Sequence, residues 1–284
     1  MPDSRSARAL KALVRPEIII RPEIIIRAIL KKFPVGSFGF RLAFDAFERP
    51  WYARGIYEAA KLASLLQETD ISVIDFGVAG GEGLVAMENL AIRIESLFKV
   101  RIDVFGFDTG EGLPAHSDYR DLPYVWRKSF YKMNVPAVQT RLRRARLILG
   151  DVKDTVPNFL KLDDFAPIAF VAFDLDYYSS TREAFRIFEA ADKHCLPRVL
   201  CYFDDITSGD QQYFCEDVGE LLAIQEFNAH ATRNHRIRPI HGWKRSLPLE
   251  SGWADSMWAC HRFDHSRYNE YIGRRHDPRV PDRT

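Results

Sequence analysis

Apolar positions change period repeatedly along the chain, and the changes mark out its elements. Tyr52, Ile56, Ala59, Ala60, Ala63 and Leu66 recur at helical spacing and predict an amphipathic helix that ends before Asp70. Ser72-Val-Ile-Asp-Phe-Gly77 is a short apolar run stopping in glycines, the pattern of a buried strand. Leu84, Met87, Ala91 and Ile94 mark the face of the next helix. Arg101–Asp108, Arg146–Gly150 and Pro167–Asp174 read as the second, third and fourth strands, with a helix over Lys153–Leu160. Ser180-Thr-Arg-Glu183 has the form of a capping box, so a helix is expected to start there. A fifth strand over Arg198–Phe203, a helix over roughly Glu216–His230, and two late strands at His235–His241 and Ser256–Phe263 complete the pattern.

Strands alternating with helices imply a parallel sheet covered on both faces, with right-handed crossovers. The expected fold is α/β: a Rossmann-like, seven-stranded, mostly parallel sheet whose closing strands form an antiparallel edge. Residues 51–265 are read as this domain, 1–50 as a basic helical arm and 266–284 as a tail. The arm holds a tandem duplication, RPEIII at 15–20 and again at 21–26. Two copies are too few for a stacked repeat architecture, which needs about three. A dimer arm, a membrane-surface contact and a loosely packed extension all remain open for it.

Composition narrows the classes. The 284 residues carry 46% hydrophobic and 28% charged side chains, enough apolar material for a sizeable core and against global disorder. Forty basic residues against 39 acidic ones argue against nucleic-acid binding through bulk charge. Cys195, Cys201, Cys215 and Cys260 show no CxxC spacing, which favours a reduced, cytoplasmic setting over a zinc or disulfide framework. Cys201 and Cys215 read as core or near-core thiols. The longest apolar run, Ile168 to Phe173, is far short of the ~20 residues of a membrane span.

The most informative segment is Asp75-Phe-Gly-Val-Ala-Gly-Gly-Glu-Gly83. Gly77, Gly80, Gly81 and Gly83 fall between a strand and a helix, where missing side chains let a ligand approach the backbone. The spacing departs from the G-x-G-x-x-G dinucleotide fingerprint. The second strand ends at Asp108, where an acid can hold a ribose diol, or cap the Thr109-Gly-Glu-Gly turn. The third ends at Gly150-Asp151, where the acid can reach an adenine amino group or cap the next helix. Asp174-Leu-Asp176 ends the fourth strand and Asp204-Asp205 the fifth. Carboxylates crowded at one sheet edge raise one another's pKa unless a cation compensates, and Mg²⁺ with oxygen ligands is the simplest cation. The alternative is that these acids cap helices and face water.

These segments carry a family likeness. GVAGGEG at 77–83, FDTGEGLP at 107–114, GDVKDTVP at 150–157, DLDYYSST at 174–181 and FDDI at 203–206 resemble class I S-adenosylmethionine-dependent methyltransferases. The closest likeness is to the macrocin O-methyltransferase group, which methylates sugar hydroxyls of macrolide antibiotics. It covers roughly Tyr52 to Ile206, more weakly to Phe263. The resemblance implies that the 77–83 turn holds the methionine part of S-adenosylmethionine, with Asp75 near its amino group. It also implies Asp108 at the ribose, Asp151 at the adenine, and Asp174, Asp204 and Asp205 as Mg²⁺ ligands. Where that group has an aromatic–arginine pair in the first glycine turn, this chain has Ala79.

The activity expected is methyl transfer to a hydroxyl of a small polar acceptor, of sugar or natural-product type, with Mg²⁺ assistance. Asp174 and Asp176 are the candidate proton-accepting carboxylates, and His116 is the candidate histidine in a lid over Ala115–Met133. The lid also carries Tyr119, Arg120, Asp121, Tyr124 and Trp126, the last expected to bury against the domain. Neither nucleic acid nor a membrane span is expected; a homodimer is compatible with the apolar arm. The rivals are a metal-dependent glycosyltransferase using Asp174-Leu-Asp176 and a non-catalytic cofactor-binding protein.

Overall fold

The computed structural model describes residues 22–33, 35–206, 214–230, 233–243 and 251–273. The first RPEIII copy and the end of the tail lie outside the described residues. Among the described residues three helices come first: α1 (Pro22–Lys32), α2 (Phe38–Ala43) and α3 (Pro50–Leu65). Alternation then runs β1 (Asp70–Phe76), α4 (Glu82–Phe98), β2 (Arg101–Asp108), α5 (Val135–Gln139), β3 (Arg146–Leu149), α6 (Val152–Leu160), β4 (Ile168–Phe173) and α7 (Tyr178–Ala184). The chain closes with β5 (Cys195–Phe203), α8 (Gly219–His230), β6 (His235–Pro239) and β7 (Met257–Arg262).

The seven strands form one sheet in the order β3-β2-β1-β4-β5-β7-β6. Strands β1 to β5 pair in parallel, and β7 enters antiparallel between β5 and β6. The expected antiparallel edge is therefore present, made by the last strand inserting inside the one before it. Strand β5 begins at Cys195, earlier than the sequence pattern implied. Its pairing with β4 jumps from Ile168↔Cys195 to Phe170↔Leu200, and the irregularity accommodates Pro197, which has no N–H to give a ladder.

Alternation along the strands splits the interior into two layers. Ile71 and Val73 of β1 face α3 and α4, whose Ile56, Ala59, Ala60, Leu84 and Met87 cover that side. Ile74 and Phe76 face the opposite layer, closed by α6, α7 and α8. Phe38, Leu42 and Phe47 join the first layer, so the residues just before α3 pack with the domain. In α1, by contrast, only Leu30 is buried, while Ile24, Ile25 and Ile29 are about half exposed. Beyond β7, Arg267 pairs with Glu68 and Ile272 packs on the first layer. Trp243 and Trp253 also pack there and Trp258 on the second. Cys201 is buried as expected, whereas Cys215 is exposed before the start of α8.

Candidate active site

Register sets the height of the site. Phe107, Phe76, Phe173 and Phe203 are cross-strand neighbours on β2, β1, β4 and β5. Their rings form a row in the second layer, with neighbouring centroids 4.8, 5.5 and 4.9 Å apart. Burying each phenylalanine contributes roughly 1.5–3 kcal/mol, so the row pins four strand ends at one level. The residue after each is Asp108, Gly77, Asp174 or Asp204. Backbone bonds extend this alignment: Gly77 N donates to Phe107 O, Asp174 N to Phe76 O and Asp204 N to Phe173 O, all at 3.0 Å.

Gly77 has φ +89°, and a Cβ there would sit 1.7 Å from the Asp174 carbonyl oxygen, so only glycine lets β1 and β4 end this close. Gly83 opens α4 where a Cβ would lie 2.9 Å from Asp75 Oδ2. Gly80 and Gly81 complete the turn, with Gly81 at φ +87° at the helix N-cap. Asp108 ties this turn to the next: its Oδ2 accepts from Ala79 N at 2.9 Å and its Oδ1 from Gly110 N at 2.6 Å. Asp151 caps α6 by accepting from Lys153 N at 3.0 Å. Gly77, Asp108, Asp151 and the four acids Asp174, Asp176, Asp204 and Asp205 line one cavity of about 340 Å³. That volume falls in the lower part of the ~300–1,000 Å³ range of small-molecule sites.

The acids are interlocked. Asp176 has φ +60°, and its backbone N–H donates to Asp205 Oδ2 at 3.1 Å. Asp205 N donates in turn to Glu220 Oε2 at 3.1 Å, and Tyr202 OH donates to Asp204 Oδ1 at 2.5 Å. Burial, then the charges of Asp204, Asp205 and Asp75, push the Asp174 carboxyl well above its ordinary range; Arg49 opposes them. Burial, followed by Asp174 and Asp204, raises Asp176 to about 8. Burial, then Asp176 and Asp204, lifts Asp205. Glu220, fully buried behind them on α8, is raised by burial and then by Asp205. No local pattern marks Glu220, which comes 15 residues after the acid it holds.

The expected Mg²⁺ ligands do share this wall. Among the described residues, however, no three His, Cys, Asp or Glu side chains are arranged to hold a metal ion. Oxygens of Asp204 and Asp205 are already engaged by Tyr202 and by the Asp176 backbone.

Other expected site residues sit apart from the cavity wall. Asp75 is fully enclosed on β1, with Oδ1 accepting from Tyr52 OH at 2.7 Å and Oδ2 unpartnered. Burial raises it to about 7, against the Tyr52 hydrogen bond and Arg49. His116 packs 4.2 Å from the Tyr177 ring, while neighbouring Leu113 and Pro114 line the cavity. Trp126 and Tyr131 line it from the lid. Helix α7 starts at Tyr178, so Ser180 does not cap it. The cap comes from the lid instead: Asp121 accepts from Ser179 N at 2.8 Å and from its hydroxyl at 3.0 Å. An acid 58 residues upstream thus anchors the lid to the Asp-x-Asp turn.

No family model matches the chain, and no curated protein does. The order β3-β2-β1-β4-β5-β7-β6, with β7 reversed and a glycine turn after β1, is the Rossmann-like sheet that the family resemblance implied. Solved methyltransferase structures of similar fold include CalS11, a calicheamicin methyltransferase, at 19% identity over 90% of this chain and 96% of that one, TM-score 0.47. The O-methyltransferase TomG from Streptomyces achromogenes, involved in tomaymycin synthesis, matches at 13% over 91% and 96%, TM-score 0.41. MycE, a methyltransferase of the mycinamycin pathway in complex with Mg, SAH and mycinamycin VI, matches at 15% over 92% and 63%, TM-score 0.38. At such identities and TM-scores these likenesses carry no argument about the activity or the acceptor of this chain. None of the described helices is long and apolar enough to cross a membrane.

Proposed function

We propose that this protein is an S-adenosylmethionine-dependent methyltransferase acting on a hydroxyl of a small polar molecule of sugar or natural-product type. The observation that carries the reading is one cavity lined by Gly77 and Ala79 of the glycine turn, by Asp108 and Asp151, and by Asp174 and Asp176. A nucleotide-sugar enzyme using Asp174-Leu-Asp176 would have no need of the first three in a row. When bound, the cofactor supplies a sulfonium-activated methyl group. Asp108 retains lone pairs for ribose hydroxyls beside its two backbone donors, and Asp151 reaches the adenine edge. Trp126 and Tyr131 wall the acceptor side and suit a polar ring. With the cofactor bound, Asp176 in its ionised form, held at its left-handed backbone by Asp205, would accept the hydroxyl proton while the acceptor oxygen takes the methyl group and the carbon–sulfur bond breaks, leaving the neutral thioether.

Magnesium assistance rests on charge alone: Asp174, Asp176 and Asp205 are all raised, burial first and neighbouring carboxylates next, which is the repulsion a divalent cation relieves. The reduced buried thiols Cys195, Cys201 and Cys260 support a cytoplasmic setting. The exposed Ile24, Ile25 and Ile29 support a homodimer through the arm, with 51–265 as the catalytic unit and 266–284 as its tail. Isothermal titration calorimetry with S-adenosylhomocysteine, with Mg²⁺ and again with EDTA, tests the reading. Micromolar binding is expected; binding in neither buffer would refute it. Tighter binding with Mg²⁺ would support a metal role, and a nucleotide sugar raising the melting temperature instead would favour glycosyl transfer.

A further inference from the structure

We infer that the hollow between α7 and α8 is a second ligand site, which takes a small flat aromatic acid. The inference does not depend on the cofactor reading. The hollow holds about 380 Å³ and shares no lining residue with the candidate active site. Local geometry builds its apolar floor. Helix α7 runs straight into a stretch of 3₁₀ helix, Phe185–Glu189, where residues three apart stand one above the other. Phe185 and Phe188 therefore face the same way, and both are buried. Opposite them, Ala223, Phe227 and His230 stand four and seven positions along α8 and share one of its faces. The Phe227 ring lies 5.4 Å from Phe185 and 5.8 Å from Phe188, and the small side chain of Ala223 leaves the space beside the rings open.

The rim is charged, and its partners divide it. Arg182 is committed to Glu183 and Tyr178, Glu226 accepts from Tyr178 OH at 2.6 Å, and His235 Nε2 lies 2.8 Å from Asp264 Oδ1. Arg186 reaches Glu183 and Glu189 only at 3.9 Å, beyond hydrogen-bond distance. Arg233 and His230 make no side-chain hydrogen bond or ion pair among the described residues. One free and one loosely held guanidinium above an aromatic floor match a planar apolar body carrying one carboxylate, sulfonate or phosphate. The rings take the body; the arginines and a ring N–H of His230 take the anion. The floor also backs on the active site: Phe185 lies 5.1 Å from Phe173 and 6.0 Å from Phe203, two of the rings that level Asp174 and Asp204.

The test is a fluorescence titration of the full chain with two dyes, anilinonaphthalene sulfonate and phenylnaphthylamine, the second having the same rings without the anion. Wild type should bind the sulfonate saturably, one per chain. Arg186→Ala/Arg233→Ala loses two exposed charge contacts and should bind it about 5- to 30-fold more weakly. The neutral dye should change by less than about threefold. Arg186→Lys/Arg233→Lys keeps the charge without the planar fork and should recover part of the loss. The Arg186 side chain is 42% exposed and Arg233 is exposed, so both variants should melt as wild type. No saturable sulfonate binding by wild type, unchanged sulfonate affinity in the alanine variant, equal weakening of both dyes, or displacement of the sulfonate by S-adenosylhomocysteine would each overturn the inference. The cofactor reading stands or falls separately, by its own calorimetry.

Discussion

Replacing Asp75 by asparagine should raise stability by an amount that grows as pH rises from about 4 and is largest above neutrality. The carboxyl is fully buried, one oxygen bonded to Tyr52 and the other without a partner. Burial raises its pKa from 3.8 to about 7, with the Tyr52 hydrogen bond and Arg49 opposing. Between those values the folded protein keeps a proton that the unfolded chain has released. The folded state binds more protons there, so stability falls as pH rises through the window and the whole contribution is lost above it. A rise of that size corresponds to about 4 kcal/mol, taken as an upper bound. Asparagine has the same shape, stays neutral, and can still accept from Tyr52. The melting temperatures of unliganded wild type and Asp75→Asn should lie closest near pH 4 and separate steadily toward pH 8. At roughly 2–4 °C per kcal/mol for a chain of this size, the variant should be higher by up to about 16 °C. A difference that does not change with pH, or a wild type that melts higher at pH 8, would refute a buried, proton-holding Asp75.

Gly77→Ala should cost at least about 3 kcal/mol, from a strained positive φ and a Cβ driven into the Asp174 carbonyl, and should abolish S-adenosylhomocysteine binding by calorimetry. Gly39→Ala, with nothing near its added Cβ, is the matched control and should melt as wild type or slightly higher. Glu88 accepts from the backbone N–H groups of Arg143, Arg144 and Ala145, which outweigh its burial and hold its pKa below the ordinary 4.5. Its stabilisation is therefore present above that value and lost as pH falls through the folded pKa; Glu88→Gln should cost about 1–3 kcal/mol at pH 7, shrinking in acid melts. Asp176→Asn should slow methyl transfer by about 10²- to 10⁴-fold in single-turnover assays while cofactor affinity holds within about threefold.

Much of the site was legible as strand ends. Strands β1, β4 and β5 finish in a phenylalanine followed by glycine or aspartate and β2 in Phe107-Asp108, a local pattern that a buried strand and its turn impose. That the four phenylalanines stand at one height, and so bring Gly77, Asp108, Asp174 and Asp204 together, depends on the pairing register. The expected cap at Ser180 shows the opposite case. Its spacing fits a capping box, yet Asp121 reaches the helix first because the lid folds across it.

Periodicity and turn chemistry therefore determined the alternation of elements, the two-layered α/β class and the glycine turn, because each depends on residues a few positions apart. Only the tertiary structure decided what lies far apart in the chain. Tyr52 holds Asp75 across 23 residues, Glu220 holds Asp205 across 15, and β7 pairs inside β6. Burial sets the charge of these acids, and burial is a property of the packed neighbours: the same carboxyl is ionised in water and protonated between a sheet and a helix.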